Sequence, residues 1–482
     1  MKVPRLAIAL VAVGACLLPL TNAGALSVPR ATALALPKPN VGLNQGYLPF
    51  QSCSSLGNCA VTGIYVAGRG EIAGVIESEL KGVWRAPLRV GEPVGASAAK
   101  GVTMDGVACP ADGSCVAIGQ YVAATSQLPF VVSETAGKWS RGVALSLPAN
   151  AIAKSESATP HSIACSSAGN CTVVGTYSTN ATTSATAGVN GFIVSEHAGV
   201  WRHAQELSLP AGANANPLVT LSQISCATTT TCVAVGSYVD VNNVSRAIVV
   251  PEVNGAWQRA LTVDLPGNAS AFAGAQFNEV DCTPSGSCLA AGTYNTFTGA
   301  VQPLVALSVN GLWDRAQQVL LPHRAKNPSA LLYGFKGVAC ASAGNCAFGG
   351  QYLDRDGKYQ GFLDNIVNGV VQIAHVLALP AGALQAGHNG GVVSLSCPGV
   401  GTCVAGAAYL NAHNTYVAYL VSENRNVWSP GISVTMPSGS QAVGVAGGIY
   451  SVDCFSVSSC QVSGSYASSS SRYDGFTLVT GA

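Results

Sequence analysis

Two carboxylates that lie two positions apart, Glu279 and Asp281, are the most suggestive catalytic pair in the sequence. On a β-strand, residues at this spacing point to the same face, and their backbones lie about 7 Å apart. Glycosidases use two carboxyl groups about 5 to 9.5 Å apart, one as the acid and one as the nucleophile or base. The pair is therefore compatible with a glycoside hydrolase or lyase, although such alternation is also common in ordinary strands.

Further polar residues occupy comparable positions near the start of the repeated unit described below. Together with Glu279 and Asp281, the candidate ligand-binding residues are His161, Lys336, His388 and Asp453, with Asp105 and Asn278 at related positions. Aromatic residues lie close to them in the sequence, among them Tyr47, Phe50 and Tyr450. Polar and aromatic groups together suit a glycan or a peptide. The alternative interpretation is that these side chains only fill the centre of the molecule.

Other motifs that carry chemistry are missing from the sequence. There is no Gly-x-Ser-x-Gly, no His-Glu-x-x-His and no phosphate-binding glycine loop, so we predict no catalytic residue and no cofactor. Residues Asp354-Arg355-Asp356-Gly357 begin like a calcium loop but lack the later ligands. We interpret them as a hairpin turn and predict no metal site.

The cysteines show a regular pattern. Apart from Cys16, the other sixteen form eight pairs with five residues between the two members. A uniform, even set predicts a disulfide framework, whereas zinc sites use closer cysteines and histidine partners. The predicted disulfides are Cys53–Cys59, Cys109–Cys115, Cys165–Cys171, Cys226–Cys232, Cys282–Cys288, Cys340–Cys346, Cys397–Cys403 and Cys454–Cys460.

The cysteine pairs mark eight repeats of about 57 residues, and the first cysteines of successive pairs are 56 to 61 residues apart. Each repeat reads as four short strands separated by Gly, Ser, Asn and Pro, and the fourth strand ends in Leu-Pro. Repeated four-stranded units are typical of a β-propeller. We therefore predict an all-β, eight-bladed propeller.

The two ends of the chain indicate how this ring closes. The last repeat stops after its third strand, near residues 476–479, while the segment Ala33-Leu34-Ala35-Leu36-Pro37 matches a fourth strand and precedes the first repeat. We expect the N-terminal strand to complete the last blade, because closure removes exposed sheet edges.

Three residue types recur at fixed positions. A Tyr follows the second cysteine by six residues in all eight repeats, and we expect its ring to lie between blades. A Gly precedes that Tyr by two residues in seven repeats, and we interpret it as allowing the neighbouring blade to approach closely. All six Trp residues share one position, which favours packing over stacking on sugars.

The composition and the N-terminus indicate the compartment. Charged residues make up 9% of the chain and the net charge is +1, which argues against a nucleic-acid partner. Residues 1–25 resemble a signal peptide, with Lys2 and Arg5 before a short apolar run. We predict a secreted, monomeric protein with a single propeller domain at 26–482 and no transmembrane segment in the mature chain. A lipid anchor at Cys16 is the alternative.

The unit Cys-x5-Cys-x-Ala-x-Gly-x-Tyr, followed by an aliphatic strand and Gly-x-Trp, resembles the repeats of secreted bacterial propellers, especially actinobacterial ones, which are loosely similar to sialidase-like, Asp-box propellers. The segment Ser133-Glu134-Thr135-Ala136-Gly137-Lys138-Trp139 lacks the Asp of that box. The resemblance implies the fold but does not transfer sialidase activity. We expect a non-enzymatic binding or scaffold module for a glycan or protein ligand, with a sialidase-like glycoside hydrolase or lyase as the alternative.

Overall fold

The chain folds into a closed ring of eight antiparallel sheets, which confirms the predicted all-β, eight-bladed propeller. The computed structural model describes residues 29–37, 46–97, 100–152, 157–179, 188–322, 325, 335–380, 383, 391–411, 415–440, 447–469 and 472–481. In this part of the chain, helical structure is limited to the 3-10 turn Gly68–Gly70, and no helix has the length and hydropathy needed to cross a membrane.

Three long strands form the body of each blade. The inner strands, which contact those of both adjacent blades around the ring, are Gly46–Ser55, Val102–Ala111, Ala158–Ser167, Thr220–Thr228, Ala275–Cys282, Phe335–Ser342, Gly391–Gly399 and Gly447–Ser456. The second strands are Asn58–Val66, Ser114–Ala123, Asn170–Thr179, Thr231–Val239, Cys288–Asn295, Asn345–Leu353, Thr402–Leu410 and Ser459–Ser469. The third strands are Ile72–Leu80, Ser126–Thr135, Gly188–His197, Ser245–Val253, Val301–Val309, Tyr359–Val367, Tyr416–Asn424 and Arg472–Val479.

The fourth strand is present in each blade, but in blades 1 to 7 it is interrupted. Its first piece pairs with the end of the third strand and comprises Val83–Trp84, Lys138–Trp139, Val200–Trp201, Ala256–Trp257, Leu312–Trp313, Val370–Val371 and Val427–Trp428. Its second piece, the outer strand, pairs with the middle of the third strand and comprises Leu88–Arg89, Val143–Ala144, Gln205–Glu206, Leu261–Thr262, Gln317–Gln318, His375–Val376 and Ile432–Ser433. A Leu-Pro sequence follows the outer strand in blades 2 to 6.

The N-terminal strand Thr32–Ala33 supplies the outer strand of blade 8, as predicted. Ala33 lies opposite Phe476, just as Glu206 lies opposite Phe192 in blade 3. The next residue continues the match, because the Leu34 N–H donates to the carbonyl of Gly475 at 2.9 Å. The first described residues of the chain therefore close the ring.

All eight predicted disulfides are present, and each joins an inner strand to the second strand of the same blade. The two cysteines of a pair have Cα atoms 4.0 to 4.1 Å apart. Each closes a very short loop, which in the chain-entropy description destabilises the unfolded chain by about 2 kcal/mol. Cys16 and the predicted signal peptide at 1–25 lie outside the described residues, so those two predictions remain predictions.

Apolar clusters lie between the blades and hold the ring together. Between blades 4 and 5, Val233 and Val249 of one blade pack with Phe277 and Tyr294 of the next. The recurring tyrosines are buried in clusters of this kind, as predicted, at Tyr65, Tyr121, Tyr177, Tyr238, Tyr294, Tyr352, Tyr409 and Tyr466.

The recurring Trp residues also connect blades. Three indole N–H groups donate to a residue on the third strand of the preceding blade, in the pairs Trp139–Ser78, Trp257–Ser195 and Trp428–Asn365 at 2.8, 3.4 and 3.2 Å. Each indole is half-buried against its neighbour. These contacts support the packing interpretation over stacking on sugars.

A buried carboxyl group lies beside the N-terminal strand. Glu77, on the third strand of blade 1, is 2% exposed and accepts a hydrogen bond from the backbone of Ala35. Burial raises the pKa of Glu77 to about 8, and the Ala35 N–H opposes that rise only in part. The protonated form of Glu77 is therefore the one that the folded ring favours.

We predict that Glu77→Gln removes a pH-dependent loss of stability. In the unfolded chain Glu77 ionises near pH 4.5, whereas in the ring it stays protonated up to about pH 8. The wild-type free energy of unfolding should therefore fall as the pH rises through this interval, by about 5 kcal/mol from this group, and then level off. Chemical denaturation at pH 4 to 9 measures the difference between variant and wild type. The exposed control Asp356→Asn should give no such difference, and a flat curve for Glu77→Gln against wild type would contradict the prediction.

Candidate functional site

A β-bulge interrupts every inner strand at the same place, four residues before the first cysteine. A bulge leaves a residue out of the ladder and changes the direction of its side chain, and bulges often lie next to binding sites. The eight bulge positions are Pro49, Asp105, His161, Ser222, Asn278, Lys336, Val393 and Tyr450. They form a ring of positions around the centre of the propeller.

The recurring glycines exist because of this bulge. A Cβ on Gly175 would lie 2.2 Å from the carbonyl oxygen of Thr159, and one on Gly292 would lie 1.9 Å from that of Gln276. Both carbonyls belong to the inner strand of the glycine's own blade, just before the bulge. The interpretation that these glycines leave space for the neighbouring blade was therefore wrong. They leave space for the bulged inner strand of their own blade.

Six of the eight bulge positions line a central cavity of about 440 Å³. In the part of the chain that the structure describes, its lining comes from the inner strands of blades 1 to 5 and 8: Pro49, Phe50, Gln51, Asp105, Gly106, Val107, His161, Ser162, Ile163, Ser222, Gln223, Asn278, Glu279, Tyr450 and Ser451. This volume is within the range that holds small ligands. Two of the six candidate residues named from the sequence, His161 and Glu279, belong to this lining.

Several bulge side chains are fixed by the second strand of their own blade. Gln120 donates from Nε2 to Asp105 at 2.8 Å, His161 Nε2 is hydrogen-bonded to the Thr176 hydroxyl at 3.1 Å, and Tyr450 to the Ser465 hydroxyl at 2.9 Å. Each partner lies five residues after the second cysteine of its repeat. The protein itself therefore holds these three side chains in place.

Burial changes the protonation of these groups. It raises the pKa of Asp105 to about 6, although the Gln120 hydrogen bond lowers that pKa in part. It lowers the pKa of His161, so the imidazole is neutral at pH 7. It also raises the pKa of Tyr450 to about 12, so the phenol stays protonated. At neutral pH the His161 and Tyr450 side chains are therefore uncharged hydrogen-bonding groups, and none of the three side chains carries a positive charge.

Asp281, a predicted site residue, links two blades and is not part of the cavity lining. Its Oδ2 accepts the N–H of Cys340 in the next blade at 2.8 Å. Serine hydroxyls occupy the same repeat position and accept the same N–H at 3.0 Å in the pairs Ser52–Cys109, Ser225–Cys282 and Ser396–Cys454. Burial raises the pKa of Asp281 to about 6, although hydrogen bonds from the backbone N–H groups of Cys340 and Cys282 lower that pKa in part.

The remaining candidates fall into two groups. Asp453 occupies the same repeat position as Asp281 and accepts a hydrogen bond from Gln51 Nε2 at 3.0 Å; burial raises its pKa to about 6. Lys336 has its backbone at a bulge position, but its side chain lies outside the described part of the structure. His388 also lies outside the described residues.

Sequence reasoning did not single out several lining residues, notably Ser222, Gln223 and Gln51. Counting four residues back from each first cysteine would have identified the bulge ring. The turn at Asp354 is a hairpin: its carboxylate accepts the backbone N–H groups of Asp356 and Lys358 at 3.0 and 2.9 Å. Among the described residues, no cluster of His, Cys, Asp or Glu is arranged to hold a metal ion.

Comparison with known proteins finds similarity only at the level of structure. No family model and no curated protein matches the chain. A protein of unknown function from Dyadobacter fermentans is 10% identical with a TM-score of 0.38, covering 76% of this chain and 91% of that one. A neuraminidase-like protein from A/bat/Guatemala/164/2009 is 11% identical with a TM-score of 0.38, covering 83% and 94%. The six-bladed fungal lectin of Aleuria aurantia is 10% identical with a TM-score of 0.33, covering 74% and 98%.

We predict that Asp281→Ser is tolerated and Asp281→Ala is not. Serine can accept the Cys340 N–H as its counterparts do in other blades, whereas alanine leaves that N–H without its side-chain acceptor. Loss of the acceptor should destabilise the fold by about 1–3 kcal/mol, measured by urea denaturation. Equal destabilisation by Ser and Ala would show that the carboxylate has another role.

Proposed function

We propose that this chain is an extracellular, non-enzymatic binding module that holds a neutral glycan in its central cavity. The observation that carries the proposal is the bulge ring, which brings different polar side chains from successive blades to one cavity while the surrounding repeat stays constant. Binding residues on a rigid repeated scaffold are a common use of propellers, which is an analogy at the level of fold.

The cavity has two chemically different walls. Blades 1 and 8 contribute Phe50 and Tyr450, with Tyr47 packed edge-on against Tyr450 at a centroid distance of 5.1 Å. Blades 2 to 5 contribute mainly side chains that donate or accept hydrogen bonds: Asp105, His161, Ser162, Ser222, Gln223, Asn278 and Glu279. A sugar ring has apolar C–H faces and a polar edge, so it matches an aromatic wall opposite a hydrogen-bonding wall.

The charge of the lining favours a neutral ligand. Two carboxyl groups, Asp105 and Glu279, belong to the described lining, and a sugar carboxylate bound there would meet groups of like charge. This supports neutral sugars over sialic acid. The eight disulfides support an oxidising, extracellular compartment, in agreement with the predicted signal peptide.

One observation supports a second candidate function, hydrolysis of a glycosidic bond. Asp105 and Glu279 line the same cavity from blades 2 and 5, and burial raises the pKa of Asp105 to about 6. A carboxyl group with a raised pKa that shares a cavity with another carboxylate is compatible with the acid and base of a glycosidase. Asp281 contributes nothing to this candidate, because its carboxylate accepts the Cys340 N–H.

The proposal predicts that the oxidised chain 26–482 binds neutral oligosaccharides on an array of glycans and cell-wall fragments, with no products detected by mass spectrometry. Asn278→Ala and His161→Ala should weaken retention by about tenfold, because each removes a hydrogen-bonding group from the lining of the cavity. Lys138→Ala, on an exposed hairpin, is the control. Cleavage that Asp105→Asn abolishes would favour the hydrolase, and a silent array would reject a glycan and direct the search to protein ligands.

A further inference from the structure

A backbone link at the rim joins each blade to the one before it, except at one junction. The residue three positions after the Trp position donates its backbone N–H to a residue that lies just after the outer strand of the preceding blade. The pairs are Gly142–Gly91, Ala204–Ser146 (through the serine hydroxyl), Ala260–Ser208, Ala316–Asp264, Ala374–Leu320, Gly431–Ala378 and, for blade 8, Ala31–Thr435. The N-terminal segment thus supplies the link between blades 7 and 8.

The junction between blades 8 and 1, which we call the closing seam, has no such link. The corresponding residue of blade 1 is Pro87, three residues after Trp84, and proline has no N–H. At this junction a carboxyl group contacts the closing strand instead: Glu77 of blade 1 accepts a hydrogen bond from the backbone of Ala35. The seam is therefore joined by a different and more polar interaction than the other rim junctions.

Blade 8 also contributes fewer apolar side chains to the closing seam than the preceding blade contributes at the other junctions. Its cluster comprises blade 1 residues together with Leu34 and Leu36 of the N-terminal strand. The second and third strands of blade 8 present Gln461, Ser463 and Thr477 at positions where blade 7 has Val404, Gly406 and Leu420. Blade 8 is thus held to blade 1 mainly through the side chains of a strand that comes from the far end of the chain.

Several buried polar atoms at this seam have no hydrogen-bond partner among the described residues: Gln51 Oε1, Glu77 Oε1, Gln461 Oε1 and Ser463 Oγ. All four residues are more than nine-tenths buried. A buried acceptor without a partner favours any state in which water reaches it. The closed seam is accordingly less stable than an apolar junction of the same size.

The aromatic wall of the central cavity crosses this seam. Tyr47 and Phe50 belong to the inner strand of blade 1, and Tyr450 is the bulge residue of blade 8. The Tyr47 and Tyr450 rings meet edge to face at 74°. Separation of the two blades would therefore divide the wall, while the polar wall on blades 2 to 5 would stay together.

We propose that docking of the N-terminal strand assembles the aromatic wall of the cavity, and that a carbohydrate bound on this wall in turn keeps the seam closed. The inference rests on the proposed function for its ligand, but the dependence of the wall on the seam does not. Because linkage is reciprocal, the factor by which closure of the seam tightens binding equals the factor by which binding shifts the seam toward the closed state.

The first test compares two leucines at the same repeat position. Leu34 and Leu207 are both buried, and each N–H donates to a carbonyl of the neighbouring third strand, at 2.9 and 3.0 Å. In hydrogen-exchange measurements on the full oxidised chain, Leu34→Ala should speed exchange in the inner strands Gly46–Ser55 and Gly447–Ser456 by about thirtyfold or more. Leu207→Ala should leave those two strands unchanged. If both variants affect them equally, or if Leu34→Ala affects only the N-terminal strand, the proposal is wrong.

The second test restores the missing link. Pro87→Ala supplies an N–H at the position that bonds to the preceding blade elsewhere in the ring. Exchange in the same two inner strands should slow by about fivefold, the effect of one added hydrogen bond. Faster exchange in this variant would contradict the assignment of the seam as the weak junction.

The third test separates this inference from the proposed function. With fluorotyrosine incorporated, Leu34→Ala should shift or broaden the 19F signals of Tyr47 and Tyr450, and Leu207→Ala should not. Retention on immobilised neutral oligosaccharides should fall for Leu34→Ala and hold for Pro87→Ala. If wild type is not retained, the proposed function fails while the 19F result still decides whether the wall depends on closure. Unchanged tyrosine signals in Leu34→Ala would overturn the inference even if wild type binds.

Discussion

A propeller blade has two apolar faces, and it can cover both only by packing between two other blades. In this chain that constraint explains the recurring Tyr and Trp residues, which lie in clusters or hydrogen bonds that always involve a neighbour. It also explains why the ring must close. The last blade lacks a fourth strand of its own, and a strand formed by Thr32–Ala33, with Leu34 packed behind it, completes the blade and covers the remaining face.

The inner-strand bulge is the second feature on which the site depends. It shifts the pairing of each inner strand against the second strand and brings a carbonyl close to a position that is glycine in seven of the eight repeats. In six blades it also places a residue in the lining of the central cavity. The glycines and the disulfides repeat because the backbone needs them. The bulge side chains differ among blades, from Asp105 and His161 to Tyr450, so the same framework presents a varied set of groups to one cavity.

The junction that closes the ring, between blades 8 and 1, also lies beside the candidate site. The aromatic side of the cavity lies where the two ends of the ring come together, and there the apolar residues of other junctions are replaced by Gln461, Ser463 and Thr477. A polar junction costs stability relative to an apolar one when some of its acceptors lack partners. The arrangement thus places this polar junction of the ring beside the aromatic side of the cavity.

The sequence by itself determined the repeat, the disulfides and the closing strand. Each of these depends on short-range spacing: six residues separate bonded cysteines such as Cys165 and Cys171, and Leu34 fills a place that Leu207 fills elsewhere. It also placed His161 and Glu279 among the candidate residues.

Only the tertiary structure decided which polar side chains face the cavity and which bond to the next blade. Strand alternation gives Glu279 and Asp281 the same face, but the Cys340 N–H that Asp281 accepts belongs to the following blade. The distance and direction of that neighbour are set by the packing of whole sheets, which no local pattern in the chain records.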